Sequence, residues 1–297
     1  DPQRGQGGCG RLGLPWQHLH RPPYTAVTTC GSDYHYEYGD GAQTVVFVHG
    51  FQASGRIWQL VCERMPRDRY RMIAVDNRGA GQTDAPLAED AYGVKPFADD
   101  LDELMTALGL RDVVLVGHSM GGATAMQFAV EHPALVRALV LVDPAGPDGI
   151  DASVTDVDAA VEARLGRRGM PDVETIAAGF GPEAPAEFAR ALAADMAAAP
   201  EQRLRGSYRS MLTLRIGDAV SRLPMPVLML AGDSDQVVPL GNLLETFRML
   251  PAGSSLHVWH GVGHSPNVET PDRFVRVLRR FVERTVPARL ATEALSA

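Results

Sequence analysis

The feature that most constrains this chain's fold is one junction. The apolar run Val113-Val114-Leu115-Val116 passes directly into Gly117-His118-Ser119-Met120-Gly121-Gly122. A buried strand is thus followed by a helix with only a Gly-x-Ser-x-Gly turn between them, the sequence form of a nucleophile elbow. So sharp a turn pushes its middle side chain out at the sheet's edge, where a hydroxyl can be deprotonated and can attack a carbonyl. Glycine is needed at 117 and 121 because a side chain at either position would collide with the packed strand and helix. The pentapeptide by itself is short enough to arise by chance, as an ordinary helix-entry loop. The strand before it and the helix after it are what give it weight.

The alternation extends along the chain. Stretches 24–29, 34–38, 44–48, 71–75, 113–116, 136–142, 227–230 and 255–259 read as strands, eight in all. Between them lie helical patterns. Ser54 is expected to cap a helix to Met65, with Ile57, Leu60 and Val61 on its inner face. A second spans 94–108 and turns Phe97, Leu101, Leu104, Met105 and Leu108 inward; a third runs from the elbow to Glu131 and is closed by His132-Pro133. Others are expected near 241–250 and 271–284. Aliphatic strands spaced by amphipathic helices imply an α/β fold, a mostly parallel eight-stranded sheet with helices on both faces.

The rhythm breaks between 145 and 222, which is Ala-rich, interrupted at Gly146-Pro147 and Gly181-Pro182, and without a convincing strand. Helices are expected there at 156–166, 185–198 and 201–214. We therefore expect a core over 24–144 and 223–286, an inserted helical lid over 145–222, a mobile extension over 1–23 and a frayed tail over 287–297.

A chain of 297 residues, 45% hydrophobic, can build one large core. Its formal charge of −8 disfavours nucleic acid or an anionic membrane as partner and favours a small molecule. Cys9, Cys30 and Cys62 are odd in number and lack metal-ligand spacing, which gives no disulfide framework and fits a cytoplasmic setting. His18 and His20 have no carboxylate or Cys beside them and suggest no metal site. No segment approaches the roughly 18 to 20 apolar residues that span a bilayer, and the first residues show no charged-then-apolar pattern, so no signal peptide is expected within them. No cofactor or metal is expected. The oligomeric state is left open.

A serine hydroxyl near neutral pH needs a base, the base needs an orienting acid, and the developing oxyanion needs donors. Behind such an elbow the partners follow in the order Ser, acid, His. Asp235, in Ala231-Gly232-Asp233-Ser234-Asp235, and His264, in Gly261-Val262-Gly263-His264, both follow strands and so stand at the sheet's carboxyl edge. Asp143, at the end of strand 136–142, is an alternative acid. Asp233 reads as a turn residue, and His257 and His260 as packing or solvent-facing.

With His49-Gly50-Phe51 and Asp76-x-Arg78-Gly79-x-Gly81 upstream, four landmarks stand in order, and over residues 24–286 the chain resembles the α/β-hydrolase fold family. It looks like a serine-nucleophile hydrolase with a helical lid. The resemblance implies Ser119 as nucleophile, His264 as general base and acid, and Asp235 as its orienting carboxylate. The oxyanion hole would be the backbone N–H groups of Phe51 and Met120. His49 would lie hydrogen-bonded beneath that hole, His118 would support the elbow, and Asp76 and Arg78 would tie down their own loop.

A serine at the elbow excludes the dehalogenases and epoxide hydrolases of this family, which use aspartate there. Gly50-Phe51 without a Gly-Gly-Gly run makes the hormone-sensitive-lipase-like esterases poorer matches. The expected reaction is hydrolysis of a carboxylic ester or lactone. The alternatives are C–C bond or thioester hydrolysis on the same triad, or a noncatalytic small-molecule receptor. In the lid, Phe180, Phe188, Met196, Met211 and Leu212 either line an apolar pocket or form the lid's own core. Arg203, Arg205 and Arg209 are expected on a solvated helix face, with binding of a substrate carboxylate as the alternative.

Overall fold

A computed structural model describes residues 25–28, 34–150, 155–165 and 172–285. The expected extension and tail, with His18, His20, Cys9 and Cys30, lie outside the described residues.

The eight strands are β1 (Thr25–Thr28), β2 (Tyr34–Tyr38), β3 (Gln43–Val48), β4 (Tyr70–Asp76), β5 (Val113–His118), β6 (Val136–Val142), β7 (Val227–Gly232) and β8 (Ser255–Trp259). They form one sheet in the order β1-β2-β4-β3-β5-β6-β7-β8. The two pairings made by β2 are antiparallel and the remaining five are parallel. From β3 the chain steps outward to β4, then returns to lay β5 on the other side of β3. The carboxyl ends of β3 and β5 therefore flank the point where the winding reverses, the place where open α/β sheets form a crevice. Gly50 and Phe51 follow β3 there, and Ser119 follows β5.

The helices are α1 (Gln59–Arg64), α2 (Val94–Ala107), α3 (Met120–Glu131), α4 (Val157–Leu165), α5 (Val173–Ala178), α6 (Ala186–Ala197), α7 (Glu201–Thr213), α8 (Gly217–Val220), α9 (Leu240–Arg248), α10 (Pro266–Glu269) and α11 (Pro271–Thr285). Strand alternation sends Val45 and Phe47 to one face, against Trp58 and Phe274, and Val46 and Val48 to the other, against Phe97 and Leu101. Both faces of the central strands are thus apolar and covered, which is why β5, β6 and β7 read as near-continuous aliphatic runs.

The 54–65 segment differs from expectation. It opens with a 3-10 turn over Gly55–Trp58 before α1, and the Ser54 side chain makes no cap hydrogen bond. Its hydroxyl donates instead to Asp195 Oδ2 at 2.6 Å. A charge-assisted bond to a carboxylate outcompetes a neutral cap. Helices α5, α8 and α10, of 6, 4 and 4 residues, are too short to show a period in the sequence.

Between β6 and β7 the described residues hold five helices, α4 to α8, and no named strand. Helix α4 packs on α7, and α5 on α6. Phe180, Phe188, Ala189 and Leu192 join the core cluster of Trp58 and Val268, with Met196 partly buried beside them. Met211 packs against the cluster on the opposite face. These apolar side chains anchor the insertion to the sheet domain. No helix among the described residues is long and apolar enough to cross a membrane.

Candidate active site

Ser119 sits between β5 and α3 with φ 55° and ψ −123°, a conformation that L residues rarely adopt. Three hydrogen bonds enforce it. The Ser119 N–H donates to Val142 O at 2.9 Å, and its carbonyl accepts from Gly122 and Ala145 N–H, each at 2.9 Å. A Cβ at Gly117 would strike the Gly121 carbonyl, and one at Gly121 would strike the Val48 and His49 carbonyls. The motif's glycines therefore let β3, β5 and α3 approach one another. A Cβ on Gly50 would come within 2.9 Å of Ser119 Cβ, so the loop after β3 passes directly beside the serine.

His264 lies in the turn after β8, and its Nδ1 is 2.7 Å from Asp235 Oδ2. The other Asp235 oxygen accepts from the Val237 and Val238 N–H groups at 2.7 and 2.9 Å. Burial raises the affinity of this carboxyl for a proton, but His264 and the two N–H groups outweigh it and hold Asp235 below the ordinary carboxylate range. The ionised Asp235 therefore takes the Nδ1 proton as a hydrogen bond and leaves Nε2 with its lone pair. Ser119 Oγ and His264 Nε2 make no hydrogen bond among the described residues. Such contacts are often long until substrate is bound.

The alternative acid, Asp143, is placed differently. Its Oδ1 accepts from Gly232 N–H at 2.8 Å, and its Oδ2 is buried without a partner. Burial, with the Asp235 and Glu269 charges adding to it, pushes it up to about 8. At neutral pH it is held mostly as the neutral acid, a poor orienter of an imidazolium. Asp233 ties its own turn, accepting from Gly261 N–H at 2.8 Å and contacting the exposed His260 at 2.7 Å.

His118 does more than support the elbow. Its Nε2 donates to the backbone carbonyl of His264 at 2.7 Å, which fixes the tautomer because a carbonyl only accepts. Burial lowers its pKa to about 3, so the ring stays neutral beside His264.

His49 is also neutral, held at about 3 by burial and by the nearby Arg203 charge. Its Nε2 accepts from Asn77 N–H at 3.1 Å, so the proton resides on Nδ1, which donates to Gly50 O at 2.8 Å. Among the described residues no peptide bond is cis, so Gly50 C=O and Phe51 N–H point in opposite directions across one rigid plane. By holding that carbonyl, His49 aims the Phe51 N–H away from itself. Neither the Phe51 nor the Met120 N–H donates to another group among the described residues. Met120, as the first residue of α3, is one of the helix's orphan donors.

Arg78 forms a two-pronged pair with Asp100 and reaches Ala91 O at 3.2 Å, tying its loop to α2. Asp76 Oδ1 accepts from Gly55 N–H at 2.6 Å, and burial raises its carboxyl to about 6.

The three arginines of α7 part company. Arg205 pairs with Glu89 and Glu162, and Arg209 with Asp158, as on a solvated face. Arg203 corrects the expectation, because it is 1% exposed. Its guanidinium donates to Ala53 O at 3.0 Å and to Gly79 O at 3.4 Å, while its Nε has no partner. Burial lowers its pKa to about 10, so it remains charged at neutral pH. Sequence patterning gave no sign of this, since the acceptors lie on distant loops.

Among the described residues no group of three or more His, Cys, Asp or Glu side chains could hold a metal ion. What the site offers is a strained serine, an imidazole with a free nitrogen, and two uncommitted N–H groups.

The comparisons agree with this architecture. Over 267 residues the chain is 30% identical to a non-heme chloroperoxidase, CPO-A1, of Kitasatospora aureofaciens, covering 84% of this chain and 94% of that protein. An esterase from Exiguobacterium antarcticum superposes with a TM-score of 0.74 at 25% identity, covering 87% of this chain and 99% of the other. Est816, an N-acyl homoserine lactone degrading enzyme, gives 0.69 at 25% identity over 86% of this chain and all (100%) of its own. Residues 43–271 match the family described as alpha/beta hydrolase fold, and the chain belongs to that family.

Proposed function

We propose that this protein hydrolyses carboxylic esters or lactones through an acyl-enzyme on Ser119. The observation that carries the reading is the Asp235–His264 pair, 2.7 Å apart, tethered through His118 to the elbow of Ser119. The esterase and lactonase among its structural relatives support the substrate class.

In the first half-reaction Ser119 Oγ attacks the substrate carbonyl carbon while His264 Nε2 takes the hydroxyl proton. The carbonyl oxygen becomes an oxyanion, which accepts from the Phe51 and Met120 N–H groups. His264, now an imidazolium steadied by Asp235, gives its proton to the departing alcohol oxygen as the C–O bond breaks. Water then repeats the sequence on the acyl-enzyme and frees the acid. For a lactone, alcohol and acid leave as one molecule. In this reading the helical insertion serves as a lid, supported by Tyr208 of α7 lying against Phe51 with ring centroids 6.2 Å apart.

Ser119→Ala tests this directly. It should abolish turnover of a short-chain p-nitrophenyl ester with the fold intact, and retained turnover would overturn the assignment. A panel adding lactones, thioesters and C–C-cleavable diketones ranks the alternatives. A diketone or thioester preference of about tenfold or more over esters would replace the ester reading.

A further inference from the structure

Two residues of the helical insertion grip the segment that leads away from the oxyanion loop. Asp195 of α6 accepts through Oδ2 from the Ser54 hydroxyl at 2.6 Å and from Arg56 Nε at 2.8 Å. Arg203 of α7 donates to the Ala53 carbonyl at 3.0 Å. Ala53 lies two residues beyond Phe51, within about 7 Å of chain at full extension. The same guanidinium reaches Gly79 O at 3.4 Å, in the loop whose Asn77 N–H fixes His49. Both loops that orient the Gly50–Phe51 peptide are therefore held by one side chain from the insertion.

We propose that Asp195 and Arg203 are positioning residues that set the Phe51 N–H, so that the oxyanion hole is assembled only while α6 and α7 are seated. The proposal rests on the assignment of Phe51 as an oxyanion donor. Two features of the site give the coupling its force. Ser119 is only 8% exposed, and the Phe51 ring lies against Tyr208 of α7, with ring centroids 6.2 Å apart. Arg203 makes no ion-pair contact among the described residues; its guanidinium donates to two carbonyls, and the nearby Asp76 charge offsets part of its burial. A buried charge that loses those acceptors has no stable half-way position, and it either sits in place or swings into water. Displacing α6 and α7 would therefore withdraw the support from Ala53 and Gly79, and reseating them would restore it. Asp195 is the looser of the two, with its side chain 21% exposed.

The test combines hydrogen exchange with kinetics on Arg203→Met, Arg203→Lys and Asp195→Ala in the full chain. The account expects amides in peptides covering 50–57 to exchange faster in Arg203→Met and Asp195→Ala, with β5 peptides covering 113–118 unchanged. It also expects kcat on a p-nitrophenyl ester to fall about 10–100-fold with KM within about threefold, because the lost alignment acts on the transition state. Arg203→Lys, which keeps the charge but cannot span both carbonyls, should fall between wild type and Arg203→Met. Unchanged exchange in 50–57 would overturn the clamp, and this arm needs no substrate. Faster exchange with unchanged kcat would overturn the coupling and the Phe51 assignment together. Loss of turnover on Ser119→Ala reports separately on the nucleophile. If Arg203→Met does not fold, Asp195→Ala, at a partly exposed position, decides the question alone.

Discussion

The imidazole of His118 donates across 2.7 Å to the backbone carbonyl of His264, joining residues 146 positions apart in sequence. This bond ties the residue before Ser119 to the loop that carries His264. His118→Phe keeps the aromatic volume and removes the donor. Its expected effect is a loss of about tenfold or more in kcat at little cost in KM, by steady-state kinetics on a p-nitrophenyl ester. Wild-type kcat in that variant would show that the tether is idle.

The two carboxylates near His264 should separate cleanly. Asp235→Asn removes the charge that steadies the imidazolium and favours the wrong tautomer, for a loss of about 10³–10⁴ in kcat. Asp143→Asn, replacing a carboxyl that is mostly neutral at pH 7, should cost less than about tenfold. The reverse ranking would reassign the orienting acid.

Asp143 also leaves a mark on stability. Its folded-state pKa is raised from 3.8 to about 8, so its contribution is complete below 3.8 and is lost as pH rises toward 8. The slope is at most about 1.4 kcal/mol per pH unit across that window. His49 and His118 act oppositely. Held at about 3 against an ordinary 6.5, they stay neutral when folded, and stability drains away as pH falls below 6.5. In thermal melts, Asp143→Asn should therefore gain Tm relative to wild type at pH 9 compared with pH 5. An equal offset at both pH values would contradict the buried neutral acid.

Much of this was legible beforehand, and the exceptions share a cause. The elbow and Asp235 carry local signals, because each sits in a glycine-marked turn after an aliphatic strand, and His264 follows Gly261 and Gly263 in the turn after β8. Arg203 does not. Beside Arg205 and Arg209 in a polar helix it reads as solvated, and its burial depends on Ala53 O and Gly79 O, 150 and 124 residues away. Ser54 misled in the same way, since its hydroxyl answers to Asp195, 141 residues later, rather than to its own helix. Patterning reports which face is apolar. It does not report which polar groups meet when the chain is folded.

The strain at Ser119 gives a prediction independent of chemistry. A non-glycine residue at φ 55° and ψ −123° costs about 1–3 kcal/mol. Ser119→Gly relieves it, offset by about 0.5–1 kcal/mol of added unfolded-state entropy. By urea denaturation Ser119→Gly should be more stable than Ser119→Ala, which keeps the strain. Equal stability of the two would mean the elbow is relaxed.

The proposed chemistry depends on Ser119 as a nucleophile activated by His264. Intact-protein and peptide mass spectrometry after treatment with a fluorophosphonate tests it most directly. The account predicts one adduct, mapped to Ser119, absent from Ser119→Ala and formed far more slowly by His264→Ala. An unlabelled wild-type protein would favour a noncatalytic receptor, and an adduct that persists in Ser119→Ala would place the nucleophile elsewhere.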